Sequence, residues 1–176
     1  KHFVQQFPQV TLDVHFVDSE QAHEKVLAGD LELAFLTLPP SGDERLNYIT
    51  IWNDPLVFVA APFHPLAQKK NLSLQDLIEY PSLLPAAQTY TAQITLAEFE
   101  KQGLKPKITM SNNPLESIRM LVSIGLGWSV LPKTLLNQDM QQLDLNVEMN
   151  RQLGMVWHPA RTQSRAMQEL IKMMQE

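Results

Sequence analysis

The sequence contains no cysteine among its 176 residues. Disulfide bonds, thiolate catalysis and zinc sites with cysteine ligands are therefore excluded. Long apolar runs are also missing, because the longest, residues 56–61, has the length of a strand and not the roughly 18 residues of a membrane span. Positive charge is scarce, since 14 Lys and Arg against 19 Asp and Glu give a net charge of −5. Domains that grip the DNA backbone are normally basic, so we expect that this segment does not itself contact nucleic acid.

Motifs of common enzyme classes are absent as well. The sequence holds no G-x-S-x-G, no Walker loop, no G-x-G-x-x-G and no H-E-x-x-H. Its five histidines lack metal-ligand spacing, so we predict neither a metal nor another cofactor. An enzyme would have to use the acidic pair around Ser19 or the Tyr90 region, and helix capping explains Asp18 and Glu20 more simply. We therefore predict a binding domain with no catalytic residues.

The pattern of residues 1–36 predicts alternating helices and strands. A helix ends at Pro8, and residues 10–16 then alternate apolar and polar side chains, which is typical of a strand. Ser19 suits the N-cap of the next helix, and Gly29 suits its end. Residues 31–36 form a short apolar strand. The order strand, helix, strand predicts two parallel strands with a right-handed crossover.

The rest of the chain repeats this α/β alternation. Residues 46–51 and 56–61 are predicted strands separated by a turn at Asn53-Asp54-Pro55, and residues 62–71 are the predicted crossing between two lobes. Ser73 to Asp76 resembles a capping box, and Asn113 suits an N-cap with Pro114 at the first helical position. Further strands are predicted at 82–84, 107–110, 128–131, 143–149 and 153–157, and further helices at 91–102 and 162–174. We predict lobe I at residues 1–61 and 152–176, and lobe II at residues 62–151.

Three polar junctions lie where a predicted strand gives way to a helix. They are Asp18-Ser19, residues 88–91 and residues 111–113. Ligands of open α/β sheets bind beyond the carboxyl ends of strands, where helix N-termini present free N–H groups. For any single junction, simple helix capping is the favoured interpretation, because Ser, Thr and Asn are ordinary N-cap residues. Two lobes that both carry such junctions favour a ligand-binding cleft between them.

Short motifs follow one another in a fixed order over nearly the whole chain. They comprise Phe7-Pro8-Gln9-Val10 with Leu12, residues 29–34 (GDLELA), residues 62–67 (PFHPLA), Leu74 with Asp76-Leu77, Gly103-Leu104 with Pro106, and residues 122–127 (VSIGLG) with Leu131-Pro132. Together they resemble LysR-type transcriptional regulators. The resemblance implies a periplasmic-binding-protein type 2-like effector-binding domain of two Rossmann-like lobes, in which the DNA-binding helix-turn-helix and the first strand of lobe I precede this fragment.

The resemblance also implies a set of effector contacts. They are Ser19 with its neighbour Asp18, Thr37 at the end of the next strand, and Gln88, Thr89, Tyr90 and Thr91 in the second lobe. The expected effector is a small metabolite such as a small carboxylate or an amino acid.

The expected assembly is a cytoplasmic homodimer or tetramer that uses apolar faces of the first and fourth helices, reaches promoter DNA through the absent domain and has no membrane contact. A free-standing solute-binding protein of the same fold is the leading alternative, and an enzyme the weaker one.

Overall fold

The computed structural model describes residues 2–111 and 114–175. The chain folds into two compact units. Unit 1 comprises the chain up to Trp52 together with the chain from Leu153 onward, and unit 2 comprises Asn53–Gln152. Two strands, β2 (Asn47–Ala60) and β7 (Met149–Trp157), each run from one unit into the other. The chain thus passes between units inside strand β2, earlier than the predicted crossing at residues 62–71.

Unit 1 is a small sheet with a helix packed on each face. Strand β1 (Leu33–Thr37) pairs antiparallel with the end of β7, Leu33 opposite Trp157, and β7 lies between β1 and β2. One face packs on α2 (Ser19–Ala28) through Val26, Leu36 and Val156. The other face packs Met155 and Trp157 on Met167 of α6 (Arg165–Gln175). A short helix, α1 (His2–Gln6), precedes these elements.

The predicted strand at residues 10–16 is wrong. Residues 10–18 have no regular secondary structure, and Leu12, Val14 and Phe16 are 47%, 61% and 94% exposed. A strand needs a hydrogen-bonded neighbour, and within the described residues no strand pairs with this segment. The predicted parallel β-α-β arrangement is therefore wrong for unit 1. Strand β1 instead finds an antiparallel partner in β7, more than a hundred residues away.

Unit 2 contains the parallel β-α-β arrangement that the sequence predicts for this region. Strands β3 (Pro81–Leu84) and β4 (Lys107–Ser111) pair in parallel, and α4 (Tyr90–Glu100) connects them. Its remaining elements are α3 (Leu74–Leu77), α5 (Leu115–Ser123), β5 (Ser129–Pro132), β6 (Gln141–Gln142) and two 3-10 turns at Pro65–Gln68 and Lys133–Leu135. Strands β5 and β6 pair antiparallel with β2.

Aromatic side chains fill the core of unit 2. Trp128 is fully buried and stacks on Phe99 with ring centroids 5.6 Å apart, while Phe58 lies 5.9 Å from the same indole. The indole N–H of Trp128 donates to the carbonyl of Leu77 at 2.9 Å, so burial leaves no donor unpaired. The neighbouring Gly127 is required because a Cβ there would collide with the carbonyl oxygen of Pro81.

The predicted turn at Asn53-Asp54-Pro55 is also wrong, because these residues continue strand β2. The Asp54 carboxylate is buried and accepts from Arg151 of β7, 2.8 Å from Nε and 2.7 Å from a terminal nitrogen. This cross-strand ion pair holds turn-forming residues in an extended conformation. At the other end of unit 2, the strand predicted at residues 143–149 begins only at Met149. Residues 143–148 contribute only a single bridge, from Leu145 to Leu72.

Several helix ends follow local sequence signals. The capping box at Ser73 is confirmed, since its hydroxyl accepts from the Asp76 N–H and the Asp76 carboxylate accepts from the Ser73 N–H. Helix α5 begins at Leu115 with Pro114 as the N-cap, so Pro114 is not the first helical residue as predicted. The expected N-cap, Asn113, lies outside the described residues. Helix α6 begins at Arg165, later than predicted.

The fourth helix, α4, does not present the exposed apolar face that the sequence predicts. Its Phe99 is buried, and Ile94 and Leu96 pack against the core of their own unit. Exposed apolar side chains lie instead on α5 and the turn after it, where Met120, Ile124 and Leu126 are exposed by about half. Within the part of the chain that the structure describes, no helix is long and apolar enough to cross a membrane.

Candidate functional site

The first polar junction brings Asp18, Ser19 and Thr37 together in unit 1. Asp18 is the N-cap of α2 with extended backbone angles, and Ser19 is the first helical residue, so Ser19 is not the N-cap predicted. The Ser19 hydroxyl oxygen accepts from the backbone N–H of Thr37 at 3.0 Å. Because Thr37 ends strand β1, this bond ties the start of the helix to the carboxyl end of the strand. The resemblance implied that these three residues contact one effector, and that role stays a prediction.

The hydrogen bond at Ser19 leaves its hydroxyl proton available. A serine hydroxyl has one proton and two acceptor lone pairs, and the Thr37 N–H occupies one lone pair. Ser19 is half-buried, and its donor can therefore reach an incoming carboxylate or carbonyl. The side chain of Thr37 is buried, and its hydroxyl has no partner among the described residues. The hydroxyl groups of Ser19 and Thr37 at the carboxyl end of β1 thus both retain a proton that they can donate.

Negative charge surrounds the Ser19 junction. Asp18 and Glu20 flank the serine, and Glu20 lies in the first turn of α2, where the helix dipole favours an anion.

The second junction, residues 88–91, forms the start of α4 in unit 2. Thr89 is the N-cap, with its hydroxyl accepting from the Ala92 N–H at 3.3 Å and donating to the Ala86 carbonyl at 2.8 Å. Its hydroxyl proton is therefore committed to the fold. Thr91 is buried. The Gln88 side chain is exposed and its amide has no partner among the described residues, so Gln88 is the most available group of this junction.

The remaining residues of the second junction and those of the third junction offer fewer groups that could bind a ligand. Tyr90 is the first residue of α4 and is partly buried, with interactions of its own. Ser111 ends strand β4 and is exposed, while Asn112 and Asn113 lie outside the described residues.

One charged cluster in unit 1 was not predicted. The Asp43 carboxylate lies 3.1 Å from Nε2 of the buried His23 and accepts three side-chain hydrogen bonds from Arg45, at 2.7, 2.9 and 3.2 Å. These bonds from Arg45 lower the pKa of Asp43 to about 2. No sequence motif links a helix histidine to a loop aspartate, so only the folded chain could reveal the cluster.

Metal binding finds no support among the residues described. No group of three or more histidine and acidic side chains could hold an ion there. Burial lowers the pKa of His64, and its Nδ1 accepts from the Leu66 N–H at 3.2 Å. His64 therefore stabilises the turn in which it lies.

The family model for the LysR substrate binding domain matches residues 1–176, the whole chain. The chain belongs to this family. The resemblance read from its motifs is thereby confirmed.

Curated relatives of this LysR substrate-binding domain are transcriptional regulators. The HTH-type transcriptional regulator AlsR of Bacillus subtilis is 27% identical over 158 residues, which cover 84% of this chain and 52% of that protein. The chain spans about half the length of the curated relatives it matches. These relatives are regulators and not enzymes by name.

Solved structures share the fold of this LysR substrate-binding domain. The regulatory domain of Synechocystis PCC6803 CcmR in complex with 2-PG superposes with a TM-score of 0.85 at 22% identity, covering 98% of this chain and 86% of that one. The effector-binding domain of QuiR in complex with shikimate gives a TM-score of 0.84 at 19% identity, covering 98% and 87%. The predicted fold class, a periplasmic-binding-protein type 2-like α/β domain, is confirmed.

Proposed function

We propose that this LysR substrate-binding domain senses a small metabolite on behalf of a LysR-type transcriptional regulator. The observation that carries the proposal is the Ser19 junction, where a half-buried hydroxyl with an available proton lies at the carboxyl end of a strand and the start of a helix. That position is the one at which α/β folds bind ligands. The structures of the related CcmR and QuiR domains hold small molecules, which supports the same role here.

The proposed effector contacts are the seven residues of the two junctions. They are Asp18, Ser19, Thr37, Gln88, Thr89, Tyr90 and Thr91. Within this set the available groups favour Ser19, Thr37 and Gln88 as direct contacts, while Thr89 acts mainly as a cap. We propose a small carboxylate or an amino acid as ligand, because the Ser19 and Thr37 hydroxyls can donate to a carboxylate.

Calorimetry with a library of small carboxylates and amino acids tests this proposal. Ser19→Ala removes the donor, so the ligand that binds wild type should bind the variant about tenfold more weakly, which is about 1.4 kcal/mol. Ser123→Ala is the matched control, since that hydroxyl also bonds a backbone group, donating to the Met120 carbonyl at 2.7 Å, but lies on α5. Equal affinity for wild type and Ser19→Ala would remove Ser19 from the site. Turnover of any library compound would contradict a purely sensory role.

The proposed partners follow from the relatives. The full-length protein would bind promoter DNA through a separate domain, since the regulators that this chain matches are about twice its length. It would act in the cytoplasm as a homodimer or tetramer, without a cofactor and without catalysis. Effector binding would stabilise one conformation of the domain, and the assembly would pass that preference to the DNA-binding part.

A further inference from the structure

A cavity of about 330 Å³ lies in unit 1 at the end of α2 that is remote from Ser19. Ten helical residues separate the two places, which is roughly 15 Å at 1.5 Å per residue. About half of its wall is polar, with the side chains of Glu32, His158, Arg161, Thr162 and Gln163, while Leu31 and Met167 contribute apolar surface beside Gly29. Its volume is at the lower end of the range of small-molecule sites, so it suits a compact ligand.

The guanidinium of Arg161 is fixed in the wall of this cavity. One terminal nitrogen donates to the carbonyls of Ala28 at 2.7 Å and Leu27 at 3.3 Å, the last carbonyls of α2. The guanidinium lies directly against Gly29, where any Cβ would collide with it. Arginine has five N–H donors, and the two bonds to α2 leave the others unused. The Arg161 side chain is therefore oriented in advance and still able to bind an anion.

Glu32 places an opposite charge in the same wall. Its carboxylate has one neighbour, the Ser164 hydroxyl at 3.4 Å, and it forms no ion pair with a described residue. Arg161 likewise has no acidic partner among the described residues. The cavity thus holds a cation and an anion that form no ion pair with each other or with any other described residue. A singly charged ligand would satisfy one of them and be repelled by the other.

We propose that this cavity is a second ligand site, which binds a small zwitterion of the free α-amino acid type. The ligand carboxylate accepts from Arg161, and the ligand ammonium donates to Glu32. His158 adds a donor at Nε2, because its Nδ1 accepts from the Ala160 N–H at 3.2 Å. The site is separate from the Ser19 junction, so this proposal stands whether or not the effector contacts above are right.

Three probes of similar size show how much each ligand charge contributes to binding by the 176-residue chain. They are L-alanine, propionate and propylamine, each titrated while amide resonances are followed by NMR. L-Alanine should shift resonances around residues 29–32 and 158–163 and bind about tenfold more tightly than either single-charge probe. Glu32→Gln should remove the preference for L-alanine over propionate, and Arg161→Gln should abolish binding of both.

Control variants keep the outcome unambiguous. Arg165→Gln removes an exposed arginine outside the cavity and should change nothing. Should Arg161→Gln disturb the end of α2, Glu32→Gln, at an exposed position, carries the test alone. The proposal is overturned if L-alanine shows no saturable binding, if it binds no better than propionate, or if its shifts centre on Ser19 and Thr37 and vanish in Ser19→Ala.

Discussion

At the scale of single residues, side chains in this domain combine a structural bond with spare bonding capacity. The Ser19 hydroxyl accepts from Thr37 and retains its proton, and Arg161 caps α2 and retains unused donors. Thr89 differs, since its hydroxyl both accepts and donates within its own turn. Sequence position suggested equal roles for Ser19 and Thr89, and only their hydrogen bonds separate the two.

Gly29 offers a test at this scale. It adopts φ +88° at the end of α2, and a Cβ there would collide with the Arg161 guanidinium. Gly29→Ala should lower the free energy of unfolding by about 2–3 kcal/mol, because backbone strain and the displaced guanidinium add.

Gly103→Ala is the matched control for Gly29. Gly103 also has a positive φ, +67°, but nothing lies within 4 Å of its would-be Cβ. Gly103→Ala should lower the free energy of unfolding by about 1 kcal/mol, because backbone strain is the only cost. Urea denaturation measures this change. Equal losses for the two variants would show that the contact with Arg161 does not matter.

At the scale of elements, Asp43 connects the loop between β1 and β2 to α2. The Asp43 side chain is only 12% exposed and connects the buried His23 of the helix to Arg45 of the loop. The contact with His23 is not local, because His23 and Asp43 lie on different elements, whereas Arg45 lies two residues from Asp43 in the same loop. The bonds from Arg45 favour the ionised form of the Asp43 carboxylate.

The pH dependence of stability tests this role of Asp43. Its pKa in the folded chain is about 2, below the usual 3.8, so ionised Asp43 stabilises the fold above pH 3.8 and that contribution disappears as pH falls through 2. Asp43→Asn should thus be less stable than wild type near pH 6, and the difference should shrink towards pH 2. Thermal unfolding across this range measures it.

Asp30→Asn serves as the control for Asp43→Asn. Asp30 is exposed and its carboxylate forms no ion pair within the described residues. The control should track wild type at every pH. A difference between Asp43→Asn and wild type that stays constant from pH 6 to pH 2 would contradict the proposed role of the charge.

At the scale of the whole molecule, one group of exposed apolar side chains lies on α5 and beside its end. Met120 of α5 and Ile124, just after it, are 57% and 60% exposed, and Phe63 beside Gly125 is 70% exposed. In unit 1, Val4 of α1 is 52% exposed. Clustered apolar groups of this kind on a domain surface are typical of protein–protein contact. The proposed homodimer would therefore use α5 where the sequence suggested α4.

Sedimentation velocity tests this assembly. Met120→Gln combined with Ile124→Gln should shift a dimer towards the monomer, because both side chains would lose their burial against the partner. Ile108→Thr combined with Met110→Thr is the matched control, since these two residues are similarly exposed but lie on strand β4. Loss of the dimer in the control alone would move the interface to β4. A wild type that stays monomeric at every concentration would contradict the assembly.

Much of this domain was readable from the sequence by itself, wherever the deciding interactions are local. The capping box at Ser73, the end of α2 at Gly29 and the β3-α4-β4 arrangement each depend on neighbouring residues or on one short crossover. The family, too, followed from motifs that stand in order along the chain.

Tertiary structure decided what depends on distant partners. Residues 10–16 carry the alternation of a strand but have no strand partner in the described chain, whereas Asp54 and Pro55 carry turn signals but stay extended beside Arg151. A strand is stable only when a neighbour accepts and donates its backbone hydrogen bonds, and that neighbour can come from anywhere in the chain. The same reason explains the candidate site. The sequence predicted Ser19 at the start of a helix. Only the fold showed that its hydroxyl oxygen accepts from the Thr37 N–H, so that its proton can be donated to a ligand.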